Sequence, residues 1–505
     1  MNEHGKSDSC IVLTTLPNKE RRDGPPASNR PPAEVVEGRR LAKGNSFQRT
    51  MFRTQRRAGM SPEMERIRRA AKRHKGMQFT TLLHHVYDLK TLREAYFSLK
   101  RTAAPGVDGV TWQHYGENLE VNLKDLSDRL KRGAYRAKPT RRRYIPKADG
   151  GQRPLGVTSL EDKLLQSALV AVLNAIYEVD FIGFSYGFRP CRNPHDALDA
   201  VSVGINQSKV NWVLDADIRG YFDAMSHRWL MKFLEHRIAD PRILRLIQKW
   251  LKAGVLEDGE LIQSEVGSPQ GASASPLLAN IYLHYVFDLW AHQWRQKTAQ
   301  GDVRIIRYAD DFVVGFQHKH EAERFLAELR ERFSKFGLEL HPKKTRLIQF
   351  GRYASERRQE RGLGKPETFD FLGFTHICGK SRKGKFRVER RTIAKRMRAK
   401  SAEVRIELRR RLHHSVPQQG AWLRQVLLGH YRYFGVPLNG KALQRFQKQV
   451  VQLWQRSLSR RSHKGYVTWD RMNRYCKKWI PVARIYHPYP NERFGVYTQG
   501  RSPVR

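Results

Sequence analysis

The chain has 505 residues, enough for roughly two to four domains, and sets 94 Lys plus Arg against 49 Asp plus Glu for a formal net charge of +45. So large an excess repels itself in a compact chain unless a polyanion neutralises it, and Arg interleaved with aromatic residues points to nucleic acid. The cysteines Cys10, Cys191, Cys378 and Cys476 form no C-x-x-C pair, no apolar run approaches ~18 residues, and residues 1–9 lack a signal core. That pattern speaks against a zinc ribbon, a membrane span and a secretory leader, and for reduced thiols in the cytoplasm.

Residues 1–60 show no hydrophobic period and carry Pro25-Pro26 and Pro31-Pro32 among charges, the composition of a disordered basic leader. Residues 61–115 read as an N-terminal extension. From 63 to 99 the pattern is helical, with Leu82, Leu83, Val86, Leu89, Leu92 and Tyr96 in one apolar stripe, and Gly106 and Gly109 around Asp108 mark a loop. The basic run 138–143 leads into strand-like Tyr144-Ile145-Pro146, and Gly150-Gly151 turns the chain back toward Arg153. A hairpin bearing Lys147 and Arg153 sets two cations where a triphosphate could meet them; a solvated basic hairpin has the same pattern. Further on, Phe184, Tyr186 and Phe188 alternate with small residues, which suits core packing for at least two of them, and Arg189 is expected to meet RNA or template.

The run Trp212-Val213-Leu214-Asp215-Ala216-Asp217-Ile218 is a short strand interrupted by acids, with Asp215 and Asp217 on one face. A helix is expected over 227–253, with Leu230, Phe233, Leu234, Ile238, Leu244 and Ile247 apolar. Pro269-Gln270-Gly271 is a turn into a helix over 277–292, and Gln270 is placed to hydrogen-bond near a nucleotide or template. Val303 to Arg307 and Phe312 to Phe316 are apolar, β-branched or aromatic runs on either side of Tyr308-Ala309-Asp310-Asp311, so the segment reads strand, tight turn, strand. A charged amphipathic helix over 319–337 turns Phe325, Leu326, Leu329 and Phe333 inward, and Lys343 and Lys344 follow in a loop. Over 390–412, Ile393, Met397, Val404, Leu408 and Leu412 keep helical spacing while Arg391, Lys395 and Arg398 join broad basic faces fit for phosphates. Helices over 419–434, which contains Arg432, and 441–460 follow. In 463–505, Trp469, Tyr475 and Trp479 lie among Arg471, Arg474 and Lys478, a mixture that fits stacking on nucleic acid or a packed cap.

Adjacent carboxylates at a turn repel each other, and a divalent cation against them reverses the sign. Alone, Asp310-Asp311 reads as a surface turn and Asp217 as a strand end entering solvent. Together they supply three carboxylates for two Mg²⁺ ions, a site that activates a 3′-hydroxyl and stabilises leaving pyrophosphate.

Asp217-Ile218-Arg219-Gly220-Tyr221-Phe222-Asp223 followed by Tyr308-Ala309-Asp310-Asp311 resembles the catalytic core of group II intron reverse transcriptases, the intron-encoded maturases. Further blocks resemble the family in order: Ala104 to Thr111, Tyr144 to Lys147 with Arg153 to Gly156, Phe184 to Pro190, Ser268 to Gly271, Leu338 to Thr345, Phe371 to Phe374, and Gly429 to Gly435. The resemblance runs from about residue 60 to the C-terminus. It implies an α+β right-hand polymerase: fingers and palm over 116–376 around a small antiparallel sheet, a helical thumb or maturase domain over 377–462, and a basic-aromatic nucleic-acid-binding segment over 463–505. It implies Asp217, Asp310 and Asp311 as metal ligands with the Ile218 backbone carbonyl, and Phe222 against the sugar of an incoming dNTP. Lys344 becomes a candidate proton donor to pyrophosphate, with a plain surface lysine as the alternative. The implied partners are group II intron RNA, target or primer DNA and dNTPs, in a bacterial nucleoid-associated ribonucleoprotein, with no membrane. The last stretch has no room for the zinc-bound endonuclease with which the family often ends, so an endonuclease-lacking type that uses an existing 3′ end is expected. Ala272 stands where the family carries Gly; if positive φ is required there, Ala strains it and polymerase activity falls. Ala272 and Ala274 support a rival, an RNA-binding splicing cofactor that has lost polymerase activity, which the intact carboxylates oppose. Other rivals are a related reverse transcriptase recruited to host defence and an RNA-dependent RNA polymerase, the latter disfavoured by Phe222.

Overall fold

The computed structural model describes residues 61–146, 152–263, 265–268, 270–461 and 465–492. The expected leader, Lys147 and the end of the C-terminal segment lie outside them. The chain is α+β and divides into two compact units. Among the described residues, the first holds 61–197 and Leu214–Leu347, and the second holds Leu198–Val213 and everything from Ile348 onward.

The first unit is built on the helix Leu160–Asp180, which starts where the Ser159 hydroxyl accepts from the Asp162 amide. It is apolar nearly all round, burying Leu164, Leu165, Leu169, Val172, Leu173, Ile176 and Tyr177, which marks a central helix rather than a surface one. Three shorter helices, Pro62–Arg73, Leu83–Tyr87 and Leu89–Ser98, pack on it. The expected single stripe over 63–99 is therefore broken. Asp88 caps the Leu89–Ser98 helix through the Thr91 amide at 3.0 Å, and Leu89 is exposed while Leu82, Leu83, Val86, Leu92 and Tyr96 are buried.

The helix expected over 227–253 is likewise two, His227–Glu235 and Pro241–Lys252. Asp240 caps the second, and Pro241, lacking an amide hydrogen, sits at its first turn, where that amide would have no partner. Ile243, Leu246, Ile247 and Trp250 form its buried face.

One sheet of this unit runs β2-β1-β4-β5, with β1 Thr140–Pro146, β2 Gln152–Val157, β4 Val255–Glu257 and β5 Glu260–Ile262. β1 and β2 form the antiparallel hairpin read from the sequence, Ile145 opposite Arg153, but β1 pairs parallel with β4, so the sheet is mixed rather than antiparallel. The central sheet runs β6-β7-β3-β8, with β3 Trp212–Asp217, β6 Val303–Tyr308, β7 Asp311–Phe316 and β8 Arg346–Gln349. β6 and β7 are antiparallel and close on the pair Tyr308 and Asp311. Ala309 is left-handed at φ +57° in the turn between them. Behind this sheet, Ser275–Leu283 and Leu289–Lys297 are joined through one π-helical stretch, His284–Asp288.

In the second unit, β9 Phe369–Phe371, β10 Phe374–Lys380 and β11 Phe386–Thr392 form an antiparallel sheet in the order β11-β10-β9. The helices Ala394–Arg410, Val416–Phe434, Gly440–Ser459 and Trp469–Trp479 follow. The boundary expected at 376/377 falls inside β10. Phe350 meets Phe369 at 5.0 Å, Phe369 stacks on His376 at 4.6 Å, and Arg390 binds Asp199 at 2.7 Å, so the sheet and the 198–213 segment group with these helices. The helix expected from 390 starts at Ala394 because 390–392 complete β11. Met397, Val404 and Leu408 on Ala394–Arg410 bury with Leu443, Phe446 and Val450 on Gly440–Ser459. Among the described residues no helix is long and apolar enough to cross a membrane.

Candidate active site

Asp217 ends β3 and is buried. Its backbone carbonyl accepts from the His341 amide at 2.8 Å, and the Arg219 amide donates to the Glu339 carbonyl at 2.8 Å. Ile218 bridges Leu340 between them, so the 339–341 segment fixes the strand end and leaves the Ile218 carbonyl out of those two bonds. The Lys344 ammonium reaches back from the same segment to Asp217 Oδ2 at 2.6 Å. Asp215, on the same face, is paired instead with Arg346 at 3.5 Å.

Asp310 and Asp311 are half-buried at the β6–β7 turn, and β3 neighbours β7 in the sheet. Tyr221, four residues past Asp217, lies near enough for the Asp310 charge to act on its phenol; burial comes first in holding that phenol well above its usual range. The acid-bearing segments therefore sit side by side.

Below the turn lies a network that reading the sequence missed. Arg307 and Asp288 are both fully buried; Arg307 Nε donates to Asp288 Oδ1 at 2.7 Å and Nη2 to Oδ2 at 2.5 Å. The remaining guanidinium donors reach Asn280 Oδ1 and the Ala309 carbonyl, each at 3.0 Å, and Ser185 Oγ at 2.7 Å. Such a fork satisfies a buried cation through five directed bonds. The 184–188 loop runs along β6: the Tyr186 amide donates to the Arg307 carbonyl at 2.8 Å, and the Arg307 amide to the Phe184 carbonyl at 2.9 Å. Gly187 lies against the turn so closely that a Cβ there would strike the Ala309 backbone. The available signal was a strand carrying two arginines, Arg304 and Arg307, among apolar residues; an arginine buried in a central strand must find a buried acid.

Phe184 and Tyr186 are buried and Phe188 half-buried, in line with core packing for two of the three. Arg189 corrects the expectation of a template contact. Its side chain is 3% exposed, bonded to Glu178 at 3.0 Å and to the carbonyls of Ile182 and Ser185 at 2.9 and 2.8 Å. All its donor groups face inward, so it holds the loop.

Phe222 is half-buried, its carbonyl accepting from the Ser268 amide at 2.7 Å. The Gln270 carbonyl accepts from the Gly156 amide at 2.7 Å, pinning the Gln270–Gly271 turn to β2. Positive φ falls on Gly271, at +114°, where a Cβ would meet the Gly156 carbonyl at 2.8 Å. Ala272 has no positive φ, so the strain expected there is absent. Its methyl borders a cavity of about 20 Å³ with Thr158, Gln166 and Ala274. Gln166 Oε1 accepts from the Ser273 and Ala274 amides at 2.8 and 3.3 Å. Arg153 is exposed on β2.

In the second unit, Lys395 and Arg398 are exposed on the Ala394–Arg410 helix, and Arg432 is exposed on Val416–Phe434. Arg391 is exposed on β11 and paired with Glu389 at 2.9 Å. Arg471, Arg474 and Lys478 line the outer face of Trp469–Trp479. That helix also packs as a cap: Met472 is buried and Trp479 lies on Gly420.

Among the described residues no group of three or more acidic, histidine or cysteine side chains forms a ready-made metal cage. The donors present are hard carboxylate oxygens, which suit Mg²⁺, an ion usually held by one or two carboxylates plus substrate phosphates. The ammonium against Asp217 is a cation already standing there.

Residues 145–376 match the family described as reverse transcriptase (RNA-dependent DNA polymerase), a span that contains the acidic strand, the hairpin and the buried network. Within that span the chain is similar to reverse transcriptases. Its relatives are intron proteins among others. It is 35% identical over 229 residues to Group II intron-encoded protein LtrA of Lactococcus lactis subsp. cremoris, covering 45% of this chain and 38% of that protein. It is 32% identical over 283 residues to the uncharacterized 91 kDa protein in cob intron of Schizosaccharomyces pombe, covering 46% and 35%. It is 37% identical over 246 residues to Protein YkfC of Escherichia coli (strain K12), covering 43% and 64%. The matched region is thus less than two thirds of each relative's own length.

Proposed function

We propose that the chain is the RNA-directed DNA polymerase of a group II intron, copying intron RNA from a DNA 3′-hydroxyl with dNTPs. In the same reading it binds that RNA as a maturase promoting splicing and retrohoming, within a bacterial nucleoid-associated ribonucleoprotein. The observation that carries the reading is Asp217 beside the Asp310-Asp311 turn on a fully bonded buried scaffold, inside a domain that matches the reverse transcriptase family.

The β1–β2 sheet acts as fingers, the central sheet as palm and the helices from Ala394 as thumb. Asp217, Asp310, Asp311 and the Ile218 carbonyl would hold two Mg²⁺, which when bound would supply activation of the 3′-hydroxyl and charge neutralisation at the leaving pyrophosphate. The residues of the chain do the rest. Lys147 and Arg153 bind the triphosphate, Gln270 orients nucleotide or template, and Phe222 closes the space a 2′-hydroxyl would take. Lys344, beside Asp217, gives its proton to the departing pyrophosphate. Arg391, Lys395, Arg398 and Arg432, with Arg471, Arg474 and Lys478, follow the nucleic-acid backbone.

The test is primer extension on an RNA template with dNTPs and Mg²⁺, the unmodified protein against Asp310→Ala/Asp311→Ala. Extension by the unmodified protein alone supports the reading. No extension by either, with salt-sensitive RNA binding intact, moves the function to a splicing cofactor. For that second reading, Ala272 and Ala274 were the sequence support, and Ala272 carries no positive φ.

A further inference from the structure

Phe188 is held in a conformation that a phenylalanine resists. Its φ is +59°, a left-handed backbone that is unfavourable for a bulky side chain and persists only where the surroundings over-determine it. The surroundings do so from both sides. The Gly187 carbonyl accepts from Asn280 Nδ2 at 2.7 Å, and Asn280 is itself bonded to Arg307. On the other side Arg189 is fixed by Glu178 and two carbonyls. Phe188 itself is only half-buried. Its ring goes to Phe222, edge to face, with centroids 6.5 Å apart and planes at 75°. The other face of the contact is set by Tyr221, whose ring lies 5.5 Å from Phe222 and whose hydroxyl is tied to the Ala279 carbonyl at 2.5 Å.

We propose that Phe188 is a positioning residue for sugar selection: its strained backbone drives its ring against Phe222 and keeps that ring forward, so that the site discriminates deoxyribonucleotides from ribonucleotides. This rests on the reading of Phe222 as the wall against the sugar. The same loop carries Gly187 against the Ala309 turn, so one short segment sets both the acid-bearing turn and the wall beside it.

The experiment measures kcat/KM for dNTP and for rNTP incorporation by the full chain on an RNA template. Phe188→Asn removes the ring while keeping a residue that accepts positive φ; Phe188→Tyr keeps the ring; Phe222→Ala controls for the wall. The expected result is that Phe188→Asn lowers the dNTP-over-rNTP ratio about tenfold, the scale on which a pocket wall displaced by a methylene-sized gap loses selectivity. Phe188→Tyr keeps the ratio and Phe222→Ala abolishes it. A merely structural role would slow both nucleotides together and leave the ratio alone. A parental ratio in Phe188→Asn with a collapsed ratio in Phe222→Ala overturns the role of Phe188 and leaves Phe222 standing. A parental ratio in Phe222→Ala overturns the sugar-wall reading and this inference with it. Should Phe188→Asn not extend with dNTPs, Phe188→Leu, a smaller side chain at the same place, decides by the same ratio.

Discussion

Arg307 and Asp288 face each other at 2.5 Å with neither side chain exposed to solvent, and the same guanidinium holds the Ala309 carbonyl at the base of the acidic turn. Stability and positioning are thus joined in one side chain, and they can be separated. Arg307→Met strands a buried carboxylate and should cost about 3–5 kcal/mol in unfolding free energy. Arg307→Met/Asp288→Leu removes both charges and should recover most of that loss in thermal unfolding. Its extension rate should stay about a hundredfold low, because the turn carrying Asp310 has lost its donor and small displacements near the reacting centre are expensive. A double variant that extends at the parental rate would show that the pair holds the fold and nothing more.

Asp240 gives a pH dependence with a definite sign. Burial pushes its carboxyl up, but Arg242 and the amides of Leu82, Leu83 and Arg242 outweigh burial and hold it at about 2. Leu82 and Leu83 donate to Oδ2 at 2.8 and 3.1 Å, so the carboxylate also ties the N-terminal helices to the Pro241–Lys252 helix. A carboxyl lowered on folding stabilises fully above its unfolded value near 4, and that contribution disappears as pH falls through the folded value. Unfolding followed from pH 5 to 2 should therefore show a loss that Asp240→Asn largely abolishes. Parallel curves for the two proteins would remove Asp240 from the acid response.

What the sequence made legible, and what it hid, follows from the range of the interactions. The β6–β7 hairpin was readable because β-branched runs and a two-acid turn are local signals. The helix break at Asp240-Pro241 was also local, but an apolar period running through it masked the start signal. Arg189 was misread because a charged residue after a Gly-Phe loop looks exposed; its partner Glu178 sits 11 residues upstream in the last turn of the central helix, and nothing in the pattern joins them. Asp288 and Arg307 each look like surface residues until the helix and strand that carry them are packed. The second unit recruits Asp199 and Asn206 from far upstream, through Arg390 at 2.7 Å and the Val388 amide at 3.1 Å. Composition and periodicity carry no signal for that.

Lys344 distinguishes a structural ion pair from a working one. More than half its side chain is exposed at 59%, so its bond to Asp217 should contribute little to stability. Lys344→Ala is expected to unfold within about 0.5 kcal/mol of the parent. Two effects should appear in extension assays. Removing a cation from Asp217 should lower the Mg²⁺ concentration giving half-maximal rate, since the ion no longer competes with an ammonium. At saturating Mg²⁺ the rate should fall about a hundredfold, the lower range for a lost general acid. An unchanged rate at saturating metal would make Lys344 an ordinary surface lysine.

The last prediction sets Arg189 against Lys395 and Arg398, all of them expected from sequence to meet nucleic acid. Lys395 and Arg398 are exposed on the Ala394–Arg410 helix, and each phosphate contact adds roughly one to the slope of log affinity against log salt. Lys395→Ala/Arg398→Ala should weaken RNA binding across sequences and flatten that slope by about two. Arg189, 3% exposed and bonded to Glu178, releases no counterion because it never reaches a phosphate. Arg189→Ala should leave the slope unchanged while lowering the unfolding temperature, since Glu178 loses its partner and the carbonyls of Ile182 and Ser185 lose their donor. A flattened slope in Arg189→Ala at full thermal stability would return that residue to the RNA surface and demand that the 184–190 loop open in the complex.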